Sequence, residues 1–175
     1  MAKSVPLTQA IGGYIFGILQ ACIRFVFRLI YGQKGESVPP ITDAILLESA
    51  TSLARKIRKQ ELSSVQVLES FIRRIKEVNP ILNCVVDERY DQALKEAAEA
   101  DALIKSGQYS TEELEKEKPF LGVPITTKDC ISVKGMLHTA GLFERRDVRA
   151  ARDADAMALM RKAGAIPIAL TNVSE

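Results

Sequence analysis

One segment near the N-terminus constrains the architecture of this 175-residue chain more than any other feature. From Leu7 to Tyr31 the residues are almost all apolar, and Arg24 and Arg28 carry the charges of the segment. At about 1.5 Å per residue, a helix of this length crosses the ~30 Å hydrocarbon core of a bilayer if both arginines extend to the headgroups. The segment therefore predicts a membrane-anchor helix and linker over residues 1–40, separate from residues 41–175.

Two orientations of this helix remain open. Five residues recur at helical spacing and form one stripe on an otherwise apolar surface: Gly13, Gly17, Gln20, Arg24 and Arg28. Such a stripe also fits a helix that lies in the interface with its basic side toward the headgroups. A cleaved signal peptide is disfavoured because the apolar run continues, with arginines, beyond any cleavage site. We therefore expect a spanning anchor and keep the interfacial helix as the alternative.

The composition excludes several classes of function. A net charge of +2 gives no basic surface for nucleic acid, so no nucleic-acid partner is expected. The single histidine, His138, leaves no partner for a histidine-based zinc site or a Ser-His-Asp triad. Three well-separated cysteines indicate no disulfide framework. We expect neither a metal nor a cofactor.

Beyond the linker, helical and strand patterns alternate. Apolar residues at helical spacing predict helices over 46–57, 63–79, 87–106 and 153–162, and apolar or β-branched runs predict strands at 81–86, 122–127 and 166–171. Ser63 and Gln66 form a capping box, whereas Pro80 is expected to end the second helix and Gly164 the last one. The predicted fold is α/β.

The chain stops shortly after its last predicted strand, where an α/β protein would continue into another helix. We therefore expect residues 41–175 to be the N-terminal part of a larger domain, truncated at its C-terminus.

Lys128 is the candidate for chemistry because it directly follows the strand predicted at 122–127. In open α/β sheets, ligands collect at the carboxyl ends of strands. A desolvated lysine there loses its proton more readily and can act as a base. Spacing alone nevertheless favours a solvated lysine beside Asp129.

Two blocks of sequence resemble the amidase signature family. The first is Gly122-x-Pro124-x-x-x-Lys128-Asp129, followed by Gly135 and Thr139-Ala140-Gly141; the second runs from Asp155 through Gly164 and Pro167 to Asn172 and Glu175. The resemblance covers residues 48–175 in order. Together with the apolar N-terminal helix, the run Phe120–Pro124 is similar to a membrane-anchored branch of that family that acts on fatty-acid amides.

The resemblance implies a mixed sheet flanked by helices and amide hydrolysis by a Ser–cis-Ser–Lys triad in which Lys128 is the base. It assigns neither Ser132 nor Ser174 to the triad, because the family's serines lie in a Gly/Ser-rich stretch that these 175 residues do not contain. The chain would then hold one member of the triad. The implied partners are a small-molecule lipid amide and a membrane, either an intracellular membrane or a lipid-droplet-type surface, and a homodimer is left open.

Two alternative functions remain at this point. The chain could be a catalytically inactive, membrane-tethered interaction protein, or part of an amidase from another branch of the family. Cys130 is disfavoured as a nucleophile because no histidine is expected to activate it, and no role is assigned to His138.

Overall fold

The computed structural model describes residues 7–32 and 35–174. Glu175 of the second motif block lies outside these ranges, as do residues 1–6 and 33–34 of the predicted anchor and linker. The chain divides into two compact units, Met1–Ser37 and Val38–Glu175.

The first unit is built on one helix, α1, which spans Leu7–Tyr31 and confirms the predicted apolar helix. Every described side chain from residue 12 to residue 31 is exposed. The segment Gly12–Tyr31, 20 residues with a mean hydropathy of 1.5, is long and apolar enough to cross a membrane. The rings of Phe27 and Tyr31 stack near the end of the helix, with centroids 5.5 Å apart.

The second unit contains helices on a small mixed sheet, as predicted for an α/β fold. The helices are α2 (Ala50–Arg58), α3 (Ser64–Leu82), α4 (Tyr90–Lys105), α5 (Thr111–Glu117) and α6 (Asp155–Lys162), with 3-10 turns at Ala44–Leu47 and Phe143–Arg145. The strands are β1 (Val85–Glu88), β2 (Pro124–Lys128) and β3 (Ile166–Thr171). The central strand is β3, which pairs antiparallel with β1 and parallel with β2.

The core lies around β3, which is buried over nearly its whole length. Ile166 and Ile168 pack with apolar residues of α3 and α4, and Leu170 packs with Val133, Met136 and Met157. A further cluster joins α2, α3, α4 and α5 to the segment that leads into β2. The segment around β2 therefore packs against two of these apolar clusters.

The end of α3 differs from the prediction. Pro80 was expected to stop this helix, but the helix continues to Leu82. A proline removes one backbone hydrogen bond from a helix, and here it lies less than one turn from the end. Asn83 then adopts a left-handed conformation with φ +48°, and its N–H donates to the carbonyl of Asn79 at 2.7 Å.

The first strand begins later in the chain than predicted, because α3 extends to Leu82. It was predicted at 81–86 and lies at Val85–Glu88. The side-chain oxygen of Asn79 accepts the N–H groups of Cys84 and Val85 at 2.9 and 2.8 Å, so the chain is still turning at Cys84. The following helix correspondingly begins at Tyr90 and not at residue 87.

Candidate active site

Lys128 is the last residue of β2, and its neighbours define an edge of the sheet. Because β2 and β3 run parallel, their carboxyl ends meet there, and Lys128 pairs in register with Thr171. The backbone N–H of Asp129 donates to the Thr171 carbonyl at 3.0 Å, which extends the ladder by one residue. The predicted position of the lysine at the end of a strand is thus confirmed.

The start of β2 is fixed by two close backbone contacts. Gly122 has φ +78°, and a Cβ atom there would lie 2.6 Å from Oγ of the fully buried Ser64. That hydroxyl donates to the Gly122 carbonyl at 2.8 Å. Gly164 has φ +92°, and its Cβ would lie 2.6 Å from the Cα of Leu121. Both glycines permit α3 and the segment before β3 to approach the start of β2 closely.

The side chain of Lys128 is exposed, and its Nζ donates to the backbone carbonyl of Asn172 at 2.9 Å. Asn172 directly follows β3, and its own N–H donates to the Cys84 carbonyl at 2.8 Å. None of the ion pairs within the described ranges involves Lys128. The lysine is therefore oriented by a neutral acceptor.

Asp129 directly follows β2, and its side chain contacts the turn at 139–141 and not Lys128. Its carboxylate is buried and accepts the N–H groups of Thr139 and Ala140 at 3.1 and 2.6 Å, together with the Thr139 hydroxyl. Ala140 and Gly141 both have positive φ, +53° and +81°, and the N–H of Gly141 donates to the Thr139 hydroxyl at 3.1 Å. The turn at 139–141 is thereby tied to the residue next to the lysine.

The other polar residues of this edge have structural contacts. His138 places Nδ1 3.2 Å from the Asp129 carbonyl, and its own carbonyl accepts from the Arg145 side chain at 3.1 and 3.2 Å. Cys130 is exposed and forms no disulfide. Within residues 7–32 and 35–174, no three His, Cys, Asp or Glu side chains converge as metal ligands would.

Sequence reasoning placed Lys128 but missed two residues that hold its surroundings. Asp129 was treated only as a neighbour of the lysine, although its place in the Lys128-Asp129 pair was visible. Ser64 was part of a helix start, and nothing in its local sequence indicated a contact with Gly122, 58 residues further on. Such a contact is specified by tertiary packing.

An ion network contacts β3 near its first residues. Glu96 on α4 accepts from Arg89 and from Arg161 on α6, with a 3.2 Å contact to Arg161, and Arg89 also donates to the Pro167 carbonyl at 2.7 Å. Burial alone would raise the pKa of Glu96, but the hydrogen bonds and charges of the two arginines outweigh it. The pKa of Glu96 is therefore lowered.

Comparison with known proteins agrees with this geometry. The amidase family model matches residues 66–175. Fatty-acid amide hydrolase 2-A of Danio rerio is 46% identical over 152 residues, which cover 85% of this chain and 29% of that protein. Fatty-acid amide hydrolase 2 of Homo sapiens is 42% identical over 136 residues, 78% of this chain and 26% of the relative. The chain thus spans less than a third of the length of these relatives.

Solved structures give the same assignment. A fatty acid amide hydrolase superposes with a TM-score of 0.65 at 29% identity, over 73% of this chain and 21% of that one. The peptide amidase of Stenotrophomonas maltophilia gives a TM-score of 0.63 at 30% identity, over 73% and 25% of the two chains. These relatives are amidases, and the resemblance seen in the motif from Gly122 to Asp129 is confirmed. The chain belongs to the amidase signature family.

Proposed function

We propose that the full-length protein containing this chain is a serine amidase that hydrolyses fatty-acid amides, with Lys128 as its general base. The observation that carries this proposal is the position of Lys128 in the family motif, at the carboxyl end of β2, with its Nζ held by a backbone carbonyl. The names of the relatives, fatty-acid amide hydrolase 2 from two organisms, support the substrate class.

In the proposed mechanism the neutral lysine takes a proton from a bridging serine, which in turn deprotonates the nucleophilic serine. That serine attacks the amide carbonyl, the C–N bond breaks, and the same relay returns the proton to the departing amine. Water then hydrolyses the acyl-serine to release the fatty acid. We propose that both serines and the N–H groups that stabilise the oxyanion come from a Gly/Ser-rich segment outside these 175 residues.

The proposal makes a demand on the surroundings of Lys128. A lysine that acts as a base near neutral pH needs an environment that disfavours its ammonium form, by burial and without a carboxylate partner. The buried carboxylate of Asp129 is already engaged by the turn at 139–141. We expect the rest of the full-length protein to bury the exposed lysine.

Kinetics of the full-length protein on a fatty-acid amide test the role of Lys128. Lys128→Ala should lower kcat by roughly 10²–10⁴ and leave KM nearly unchanged, because a positioned base acts in the transition state. Lys128→Glu should retain more activity than the alanine variant at higher pH, since a carboxylate also accepts the serine proton. Lys134→Ala is the matched control, an exposed lysine in the loop after β2.

Two outcomes would contradict the proposal. A Lys128→Ala variant that stays within about threefold of the parent kcat would remove the lysine from the mechanism. A full-length protein that hydrolyses no amide at all would instead favour a catalytically inactive interaction protein.

We also propose that α1 attaches the protein to a membrane, as its length and apolar surface suggest. A spanning helix would stay in the membrane pellet after alkaline carbonate extraction, whereas release into the supernatant would favour the interfacial orientation.

A further inference from the structure

We propose that Arg24 and Arg28 bind the phosphate groups of anionic phospholipids, so that α1 prefers a negatively charged membrane leaflet. This inference rests on the membrane attachment proposed above and is independent of amide hydrolysis. It follows from the position of the two arginines on the helix, from the residues around them and from the partners they lack within it.

The two arginines lie where a membrane helix meets the headgroups. They are four residues apart on one face of α1, and Tyr31, three residues after Arg28, continues that face to the end of the helix. Arg24 is seven residues before Tyr31, roughly 10 Å along the axis. The apolar stem of an arginine spans much of that distance, so both guanidinium groups reach the headgroup region beside the Tyr31 end.

The helix itself offers these charges no counter-charge. The sequence of α1 contains no aspartate or glutamate. Neither Arg24 nor Arg28 takes part in an ion pair within the described residues, and both side chains are exposed. A guanidinium group is a planar fork of N–H donors that binds phosphate through two parallel hydrogen bonds. A lipid phosphate therefore supplies both the charge and the acceptors that the helix lacks.

A second copy of the helix fits this face less well. Gly13 and Gly17 lie on the same stripe and would allow two helices to approach closely. In a parallel pair packed along the stripe, however, the four arginines of the two copies would come together at one end. Like charges at such short range repel, and the pair would still lack an acceptor for them. An anionic leaflet satisfies the same face without that repulsion.

The absence of tryptophan from the chain makes a direct test possible. Tyr31→Trp introduces a single tryptophan on the arginine face, at the depth where the headgroups are expected. The 175-residue chain with this substitution is reconstituted into phosphatidylcholine vesicles that contain brominated phosphatidylserine, or brominated phosphatidylcholine, as a minor component. Brominated acyl chains quench tryptophan fluorescence at short range, so the two quenching curves compare the lipids next to residue 31.

We expect phosphatidylserine to be enriched beside the introduced tryptophan by about fivefold per arginine, the enrichment expected for one basic residue at an anionic surface. The variant that also carries Arg24→Gln and Arg28→Gln should bind the vesicles and quench equally with both lipids. The matched control carries Arg146→Gln and Arg152→Gln, which remove two exposed arginines of the second unit. This control should keep the preference for phosphatidylserine.

Three results would overturn the inference: equal quenching by the two lipids in the parent, an unchanged preference after both substitutions in α1, or its loss in the control. Equal quenching would leave the membrane attachment intact. Absence of quenching by either lipid would overturn the attachment as well. Lys128→Ala should change none of these readings, so the amidase proposal is tested separately.

Discussion

Asp129 holds the backbone next to Lys128 in place, because the N–H, the carbonyl and the carboxylate of Asp129 all have hydrogen-bond partners. Its N–H binds the end of β3, its carbonyl contacts His138, and its carboxylate holds the turn at 139–141. In the full-length amidase proposed above, Asp129→Asn should lower kcat about tenfold to a hundredfold with a smaller change in KM, since misplacing a catalytic group by about 1 Å costs this much. Steady-state kinetics and thermal unfolding of the same preparation measure both effects.

Asp153→Asn is the matched control for this prediction. Asp153 also accepts a backbone N–H, from Lys134 at 2.7 Å, and it forms an ion pair with Arg161. Its loss should lower the unfolding temperature without a comparable loss of kcat. If both variants reduce kcat equally, Asp129 acts only through general stability.

Gly164 should tolerate no side chain, because its conformation and its neighbour both exclude one. Alanine would have to adopt φ +92° with its Cβ 2.6 Å from a backbone atom of Leu121. We expect Gly164→Ala to lower the free energy of unfolding by about 2–5 kcal/mol. Gly107→Ala is the control, since φ is +67° there but no atom lies within 4 Å. Its cost should be about 1–2 kcal/mol, and equal urea midpoints for the two variants would contradict the steric argument.

The residues of the site were predictable to different degrees. Lys128 was found because a motif and the end of a strand coincide at one position, although its catalytic role stays a prediction. The roles of Asp129 and Ser64 depend on partners 10 and 58 residues away. Local sequence does not encode which backbone groups will need an acceptor once distant segments have packed together.

At the scale of secondary-structure elements, Glu96 on α4 forms ion pairs with Arg161 on α6 and with Arg89, which directly follows β1. Because its pKa is lowered in the folded state, the ionised carboxylate stabilises the fold above the unfolded-state pKa of about 4.3. That contribution is lost as the pH falls through the lower folded-state pKa. Glu96→Gln should therefore lower the free energy of unfolding by about 1–3 kcal/mol near neutral pH, and the difference from the parent should vanish in acid.

Urea unfolding of the parent and the variant at neutral and at acidic pH measures this difference. Glu99→Gln, on the exposed side of the same helix and outside the ion pairs of the described residues, should change little at either pH. A Glu96→Gln effect that persists unchanged below the folded-state pKa would show that the carboxylate charge is not its source.

For α3, the start was more predictable than the end. The capping box of Ser63 and Gln66 is present as predicted, because it needs only residues three apart in sequence. The end of α3 depends instead on the left-handed Asn83 and on the Asn79 side chain, which binds the first residues of the next segment. Pro80 alone could not reveal that these two asparagines, and not the proline, set the boundary.

At the scale of the whole molecule, the described sheet carries one member of the proposed triad. Lys128 lies on β2, which is an edge strand of the sheet in the part of the chain that the structure describes. The α/β class followed from the alternation of helix and strand patterns. The order β1-β3-β2 did not, because strand pairing is determined by contacts between segments far apart in sequence.

The proposed division of the triad leads to a final prediction for the 175-residue chain itself. A base accelerates acyl transfer only when a nucleophile lies within hydrogen-bond reach of the relay and N–H donors stabilise the oxyanion. These 175 residues contain no Gly/Ser-rich stretch of the kind that carries the family's two serines. The purified chain should therefore bind vesicles through α1 yet release no fatty acid from a fatty-acid amide. Turnover that disappears in Lys128→Ala would show that the chain contains its own nucleophile, and the proposed division of the triad would then be wrong.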